Sequence, residues 1–514
     1  MARDIADEPL FPLDAIQGDI LAGLPKRHEH LMFFTITDPA AFKAFLKSLH
    51  ITSMQDCIDD RTKIAAQKLI NAQLVPTPGL NLAFTFAGLD RLDVEDAATM
   101  TGADAFKEGM ASRQAILQDP PSSEWMALNP DPDLHGVFIV TGASNAEVVD
   151  VMSLRLVPPA ENGWSLLHEE VGQVRPEPVV GHEHFGYADG VSQPGLRGRI
   201  GHDTPFHPTA EGGKDNQAAL GQDLLWPGEF VFGFPGQNPN APRFEVKGPV
   251  AEPPIPFMNH GAYLVIRRLA QFVPEFNASV KTASAAIPAG ADLADPDLLG
   301  AQMVGRWKSG AAMINAPRGD DRSVGDNTPR ANDFEFGEDR EGVVCPWAAH
   351  IRKAYPRDDV RHELEPDEKA IGRAEAFTQS HRMMRRGISF GPEVTEAEAL
   401  SGVSGAIDNA GTPDEDSKVR LSRGLLFKCY VTSIDDQFEF VQRSWCNADD
   451  FSQPASGIDP IIGQSASVDR PFKGAAPFSL VEANRPDFNL RSFVRMEGGE
   501  YFFAPSILAL KELS

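Results

Sequence analysis

His30–Leu49 reads HLMFFTITDPAAFKAFLKSL, and two structural elements follow from it in order. The run His30–Thr37 is apolar and rich in β-formers, which predicts a strand. Asp38-Pro39 then supplies a helix cap and a first helical residue whose fixed φ and missing N–H suit that place. Behind them Phe42, Phe45, Leu46 and Leu49 recur at i, i+3, i+4 and i+7, the stripe of an amphipathic helix. The stretch is a β-turn-α unit.

The same order is met again further along. Leu82, Phe84 and Phe86 alternate with Ala83, Thr85 and Ala87 and run into Gly88-Leu89-Asp90, a strand followed by a helix start. His135–Thr141 (HGVFIVT) and Leu166–Val174 (LLHEEVGQV) read as further strands. In the second half, Ala262–Arg267 (AYLVIR) precedes a helix with Phe272 and Phe276 on one face. Leu425–Val431 (LLFKCYV) leads through Ser433-Ile434-Asp435 into a helix bearing Phe438, Val441 and Trp445. Strand, short polar turn and helix in both halves give an α+β chain of two similar units that meet near Gly228–Pro253. Asp203–Asp223 and Gly319–Gly342 are polar and rich in Gly, Pro, Asp and Asn, and are expected to be surface excursions without a core of their own. Such loops either wall a site or are tolerated insertions.

Charge narrows the class of partner. Across 514 residues, 47 Lys+Arg against 73 Asp+Glu leave 47 − 73 = −26. Nucleic acid and anionic membrane surfaces call for a basic footprint that this chain lacks. At 42% hydrophobic and 23% charged residues it has the composition of a globular protein. No apolar run approaches the roughly 18 residues of a membrane helix. Met1–Leu13 has no signal-peptide pattern, so the expected location is cytosolic by default, with a secreted form not excluded. Cys57, Cys345, Cys429 and Cys446 are too widely spaced for a disulfide framework or a metal knuckle and are expected to be buried thiols.

Three segments can carry chemistry. In Gly181–Arg197, GHEHFGYADGVSQPGLR, Asp189 sits between Ala188 and Gly190, so a carboxylate projects without bulky neighbours, as proton shuttling requires. The same dipeptide also suits a turn in which Asp189 bonds its own backbone. His182 and His184 could share a strand face and bind a metal with Asp189, or with His202 and His207. In Cys345–Arg357, CPWAAHIRKAYPR, small alanines before His350 leave room for a planar metal cofactor, and Arg352, Lys353 and Arg357 could hold its carboxylates. A core histidine beside a solvated basic patch is the other reading. In His381–Val394, HRMMRRGISFGPEV, Arg385 and Arg386 precede a short apolar strand, and one arginine in an apolar pocket stabilises developing negative charge.

Together GYADGVSQPG, CPWAAHIRKAYPR and RRGISFGPEV resemble the distal-acid, proximal-histidine and distal-arginine motifs of the dye-decolorizing peroxidase family, most closely its large fungal members. IQGDILAGLPK (Ile16–Lys26), GRWKSG (Gly305–Gly310), GIDPIIGQ (Gly457–Gln464) and GGEYFFAPS (Gly498–Ser506) extend the resemblance over nearly the whole chain. The resemblance implies two ferredoxin-like α+β units, 1–245 carrying the distal Asp loop and 246–514 holding haem b. It implies His350 as iron ligand, Asp189 as distal acid-base, Arg385 as distal arginine and Asp459 as acceptor of the other His350 N–H. Gly190, Val191, Ser192 and Arg357 would contact the haem, and Leu425 and Phe427 would line the distal pocket. The implied reaction reduces hydrogen peroxide through an oxyferryl haem and oxidises dyes, phenolics and similar one-electron donors, bulky ones through a surface tryptophan, Trp445. Trp445 also continues the Phe438, Val441 stripe, a core reading. Phe390 stands where related fungal sequences often carry a radical-forming tyrosine. Acid clusters at Asp358-Asp359 and Glu363–Glu368 could bind Mn(II) as a substrate ion, or simply be a solvated face. A haem- or iron-handling protein is the alternative function, and the chain is expected to be a monomer or homodimer.

Overall fold

The strand and helix of His30–Leu49 form where their sequence puts them. In the computed structural model, residues 5–513 are described, apart from 72, 98–99, 101–102, 157–159, 203, 207–216, 220–221, 242–244, 286–295, 360–367, 408–412, 466–469 and 474–486. Helix α1 (Gly18–Leu21) precedes strand β1 (His28–Ile36), which leads into α2 (Pro39–Ser48). The Asp38 carboxylate accepts from Ala40 N and Ala41 N, satisfying two of the open N–H groups at the start of α2, and Phe42, Phe45 and Leu46 turn inward.

Eight more strands join β1 in one sheet. From the first half come β2 (Gly79–Phe84), β3 (Gly136–Gly142) and β4 (Trp164–Gln173), and from the second β5 (Ala262–Gln271), β6 (Met384–Arg385), β7 (Ile388–Phe390), β8 (Gly424–Val431) and β9 (Val494–Ala504). The order is β6-β8-β5-β9-β2-β3-β1-β4, with β7 also on β8. Every pairing is antiparallel. One face carries the ring cluster of Phe34, Phe42, Phe84, Phe138 and Trp164, and the other carries Leu31, Phe33, Val137, Leu264 and Phe502. Alternation along each strand separates these two sets. The ends of the sheet approach one another: a Cβ on Gly172 of β4 would lie 2.3 Å from Ile388 Cγ2 of β7. The sheet therefore curls on itself.

The two halves meet at a narrow seam. Between β9 and β2 the register holds only Phe503 opposite Phe84. Beside that pair the Gln17 side-chain amide stands in for a rung of the ladder, donating to Leu82 O (2.9 Å) and Pro505 O (2.8 Å) and accepting from Leu82 N (2.9 Å).

Several elements differ from their sequence reading. The strand at Leu82 stops at Phe84, because the Thr85 hydroxyl accepts from Gly88 N and starts the helix Phe86–Arg91 there. The helix after β8 is two π-helical segments, Ile434–Glu439 and Val441–Cys446. Of the polar stretches, most of 203–223 lies outside the described residues, whereas Gly319–Gly342 does have a core, since Val324, Ala331, Phe334 and Phe336 are buried with Cys345 and Ala349. All four cysteines are free and buried. Among the described residues no helix is long and apolar enough to cross a membrane.

Candidate active site

One cavity is walled by the three sequence segments and by the second-half strands. Arg267, Leu269 and Gln271 of β5 and Leu425 and Phe427 of β8 all face it. Their odd numbering is the pleat at work, and the register sets Arg267 opposite Phe427 and Leu269 opposite Leu425. The π-helical segments place Phe438, Val441 and Gln442 on the same wall.

His350 opens the short helix α3 (His350–Ala354) and lines the cavity. Its Nδ1 is 2.8 Å from Asp459 Oδ2. Asp459 is 0% exposed, and its Oδ1 accepts from Ile461 N (2.8 Å) and Ile462 N (3.0 Å). A carboxylate so engaged is an acceptor, so the His350 proton resides on Nδ1 and Nε2 keeps its lone pair. The segment before it is held by Asp339, whose carboxylate accepts from Val343, Val344 and Cys345 N and ion-pairs Arg352. The motif glycine Gly305 allows α3 to come close: a Cβ there would stand 2.4 Å from Ile351 Cγ1.

Asp189 also lines the cavity, on a loop without regular structure. Its Oδ1 accepts from Gly190 N (2.6 Å), so the local turn and the cavity position coexist. Glu183 knits this loop, taking Phe185 N and Tyr187 N (both 2.8 Å) and Gln271 Nε2 (2.5 Å), and burial raises its carboxyl to about 7. Gly310 of GRWKSG packs beneath it, 3.1 Å from Val191 Cγ2 if given a Cβ, and Asn332 Nδ2 donates to Val191 O (2.7 Å). Arg385 of β6 donates to Ser192 O (2.5 Å), while the Gln193 amide donates to Arg385 O (3.1 Å) and accepts from Arg385 N (3.4 Å). Gln193 thus ties the acid loop to the arginine strand. Sequence reading passed over it, although it lies only three residues beyond Gly190 in the same motif.

The structure therefore brings Asp189, Gly190, Val191, Ser192, His350, Arg357, Arg385, Leu425 and Phe427 to one cavity, with Asp459 behind His350. Arg306, Arg382 and Tyr355 join them without having been singled out. Arg306 donates to Gly310 O, Ala331 O and Asn332 Oδ1, and burial lowers its guanidinium to about 9. Arg382 lies 3.7 Å over the Tyr355 ring. A flat, dianionic iron porphyrin fits this set: a neutral histidine nitrogen for the metal, apolar walls for the ring and arginines for its carboxylates. The buried Arg267 Nε and Gln271 Oε1 on this wall have no protein partner, as at a surface meant to meet a ligand or water.

Other candidates are corrected. His182 Nδ1 is 3.1 Å from Val180 O and the buried His184 Nε2 is 2.9 Å from Phe390 O, so both rings are spent on carbonyls rather than on a shared strand face. His207 lies outside the described residues, among which no group of three or more potential ligands could hold a metal ion. Asp358 accepts from Phe336 N and Gly337 N and Asp359 pairs with Arg352, so neither belongs to a solvated acid face; 363–367 lie outside the described residues. Trp445 is 2% exposed, so it is no surface residue: Phe377, His381, Phe440 and Phe451 surround it, the last stacked at 5.3 Å. Phe390 is buried with Arg268 4.0 Å over its ring.

A carboxylate-backed histidine sharing one cavity with a carboxylate and an arginine is the layout of a haem-dependent oxidoreductase. Comparison with known proteins narrows the class. Residues 15–176 match the family model described as the DyP dimeric alpha+beta barrel domain. The chain is 32% identical to peroxidase 2 of Mycetinis scorodonius, over 97% of this chain and 87% of that protein. It is also 32% identical to a dye-decolorizing peroxidase of Auricularia auricula-judae, over 97% of this chain and 86% of that one. Among solved structures, an ancestral D-type dye decolorizing peroxidase superposes with a TM-score of 0.77 at 35% identity, covering 98% of this chain and 99% of that one. The chain belongs to the dye-decolorizing peroxidase family, and the duplicated α+β reading is borne out.

Proposed function

We propose that the cavity holds haem b through His350 Nε2 and that the chain uses it to reduce hydrogen peroxide at the expense of phenolic and dye donors. The observation that carries this is that the Asp459-backed His350 lines the same cavity as Asp189 and Arg385. Related proteins carry the name of dye-decolorizing peroxidase, and one solved relative is a complex with 2,6-dimethoxyphenol. Haem, when bound, supplies the redox-active iron that passes two electrons to the peroxide. Asp189 takes a proton from one peroxide oxygen and returns it to the other, so that water can leave. Arg385, held by Ser192 O, stabilises the charge that develops between them. Asp459 keeps the His350 proton on Nδ1 and makes Nε2 a stronger donor to the metal. Storage or release of haem would need neither Asp189 nor Arg385.

Bulky dyes are too large for the cavity and are read as giving their electrons through Trp445, which sits one layer behind the wall against Ala354 and Met383. Mn(II) is read as a further donor, at carboxylates other than Asp358 and Asp359; saturable Mn(II) turnover tests it. The main test is the absorption spectrum of haem-supplemented protein before and after one equivalent of peroxide. A Soret band that shifts on peroxide and is lost in His350→Ala supports the reading. A Soret band that does not respond overturns it.

A further inference from the structure

We propose that His381 is the residue that couples Trp445 to the cavity, an assignment that rests on reading Trp445 as an electron relay. Trp445 has ring contacts with Phe377, His381, Phe440 and Phe451. Among the described residues, His381 alone of these also lines the cavity. Its imidazole stacks on Phe440 at 4.1 Å and 12° and meets the indole edge-on at 5.3 Å. The ring is fixed between the wall and the tryptophan.

The side chain is also an odd choice for mere packing. A carbonyl only accepts, so the hydrogen bond between Nδ1 and Asp436 O puts the proton on Nδ1. Nε2 is left as a buried lone pair with no partner. Leucine or phenylalanine would fill the space without stranding a nitrogen, and stranded buried polar atoms call for an explanation. Burial moves the imidazole below its ordinary range, which keeps the ring neutral. On the outer side, Phe377 touches both rings, at 4.6 Å from His381 and 6.4 Å from Trp445, and is 40% exposed. A path of contacting rings thus runs from solvent to the cavity wall.

The electrons balance as follows. Hydrogen peroxide takes two electrons and two protons and becomes two waters. Each electron leaves the Trp445 indole, crosses His381 without oxidising the imidazole, and enters the cavity; one donor molecule then returns one electron to the indole. Two donors are oxidised by one electron each.

The test uses haem-loaded wild type, His381→Leu, His381→Phe and Trp445→Ser, with rates taken per bound haem. Four readouts are followed: the rate of peroxide reaction by stopped flow, the yield of protein radical by electron paramagnetic resonance, turnover of a sulfonated anthraquinone dye, and turnover of 2,6-dimethoxyphenol. His381→Leu is expected to lower radical yield and dye turnover by about fivefold or more, leaving the peroxide and phenol rates within about twofold, and His381→Phe is expected to restore most of the loss. If Trp445→Ser loses dye turnover and His381→Leu keeps it, the His381 assignment falls while the relay stands. If both variants keep it, the relay reading falls and takes this assignment with it. Equal slowing of every substrate by His381→Leu marks a structural role and also overturns the assignment.

Discussion

Asp459→Asn probes the site with almost no change of shape. The Asp459 carboxylate accepts from His350 Nδ1 at 2.8 Å on one oxygen and from Ile461 N and Ile462 N at 2.8 and 3.0 Å on the other. Asparagine has one acceptor. If its oxygen keeps the two backbone donors, its NH2 group points at His350 Nδ1–H, donor against donor. Relief requires His350 to move its proton to Nε2, the nitrogen that has to bind iron. The reversed amide instead confronts two buried N–H groups with a third donor. A hydrogen bond to a charged acceptor contributes about 1.5–3 kcal/mol against about 1 for a neutral one, so the lost charge alone costs about 1 kcal/mol before the wrong tautomer is counted. With about 1.4 kcal/mol per decade, haem affinity should fall by about tenfold to a hundredfold, the usual cost of losing such a partner. Soret titration of apoprotein with haem measures it, with far-UV dichroism as the fold control. Affinity within about twofold of wild type would refute the proposed orienting role of Asp459.

Asp189→Asn should retain haem while peroxide reduction slows by about 10²–10⁴-fold in stopped flow, since the shuttle is lost and the cavity is not. A carboxylate base works at acidities where imidazole is protonated, so turnover should be fastest below neutrality, and a profile peaking above neutrality would contradict this mechanism. Stability should lean the same way: burial raises the Glu229 carboxyl to about 8 from an ordinary 4.5, so the folded state binds the extra proton, and the melting temperature should fall as pH rises from 4.5 through 8. Glu229→Gln should flatten that fall. The paired arginines should separate cleanly. Arg386 donates to the carbonyls of Asp19, Ile20 and Leu21, so Arg386→Met should destabilise the fold by about 2 kcal/mol in denaturant titration. Arg385→Leu should leave stability nearer wild type but slow peroxide cleavage about a hundredfold.

Elements with a local cause were legible. The Asp38-Pro39 cap and the Phe42, Phe45, Leu46 stripe specify α2 by themselves, whereas Leu425 and Phe427 are placed at the cavity by the family resemblance and do line it. The meeting of Asp189, His350 and Arg385 in one cavity was legible through motif order rather than through any one residue. Features set by long-range packing were not. Trp445 reads as core from its spacing and as a surface residue only through the family resemblance, and its burial depends on Phe451 and Phe377 arriving from other segments. The phenylalanines of Gly319–Gly342 looked too sparse for a core because their partners, Cys345 and Ala349, lie beyond the stretch. Arg306 and Gln193 act through carbonyls and amides of distant loops, which no periodicity records.

The Gln17 amide at the seam bears on how the molecule is put together. Because β2 and β9 share one residue pair and borrow the next rung from the Gln17 side chain, the joint between the halves depends on a segment outside both strands. The site draws its acid from the first half and its histidine from the second, so a joint held by one amide also bears on how those two contributions are kept together.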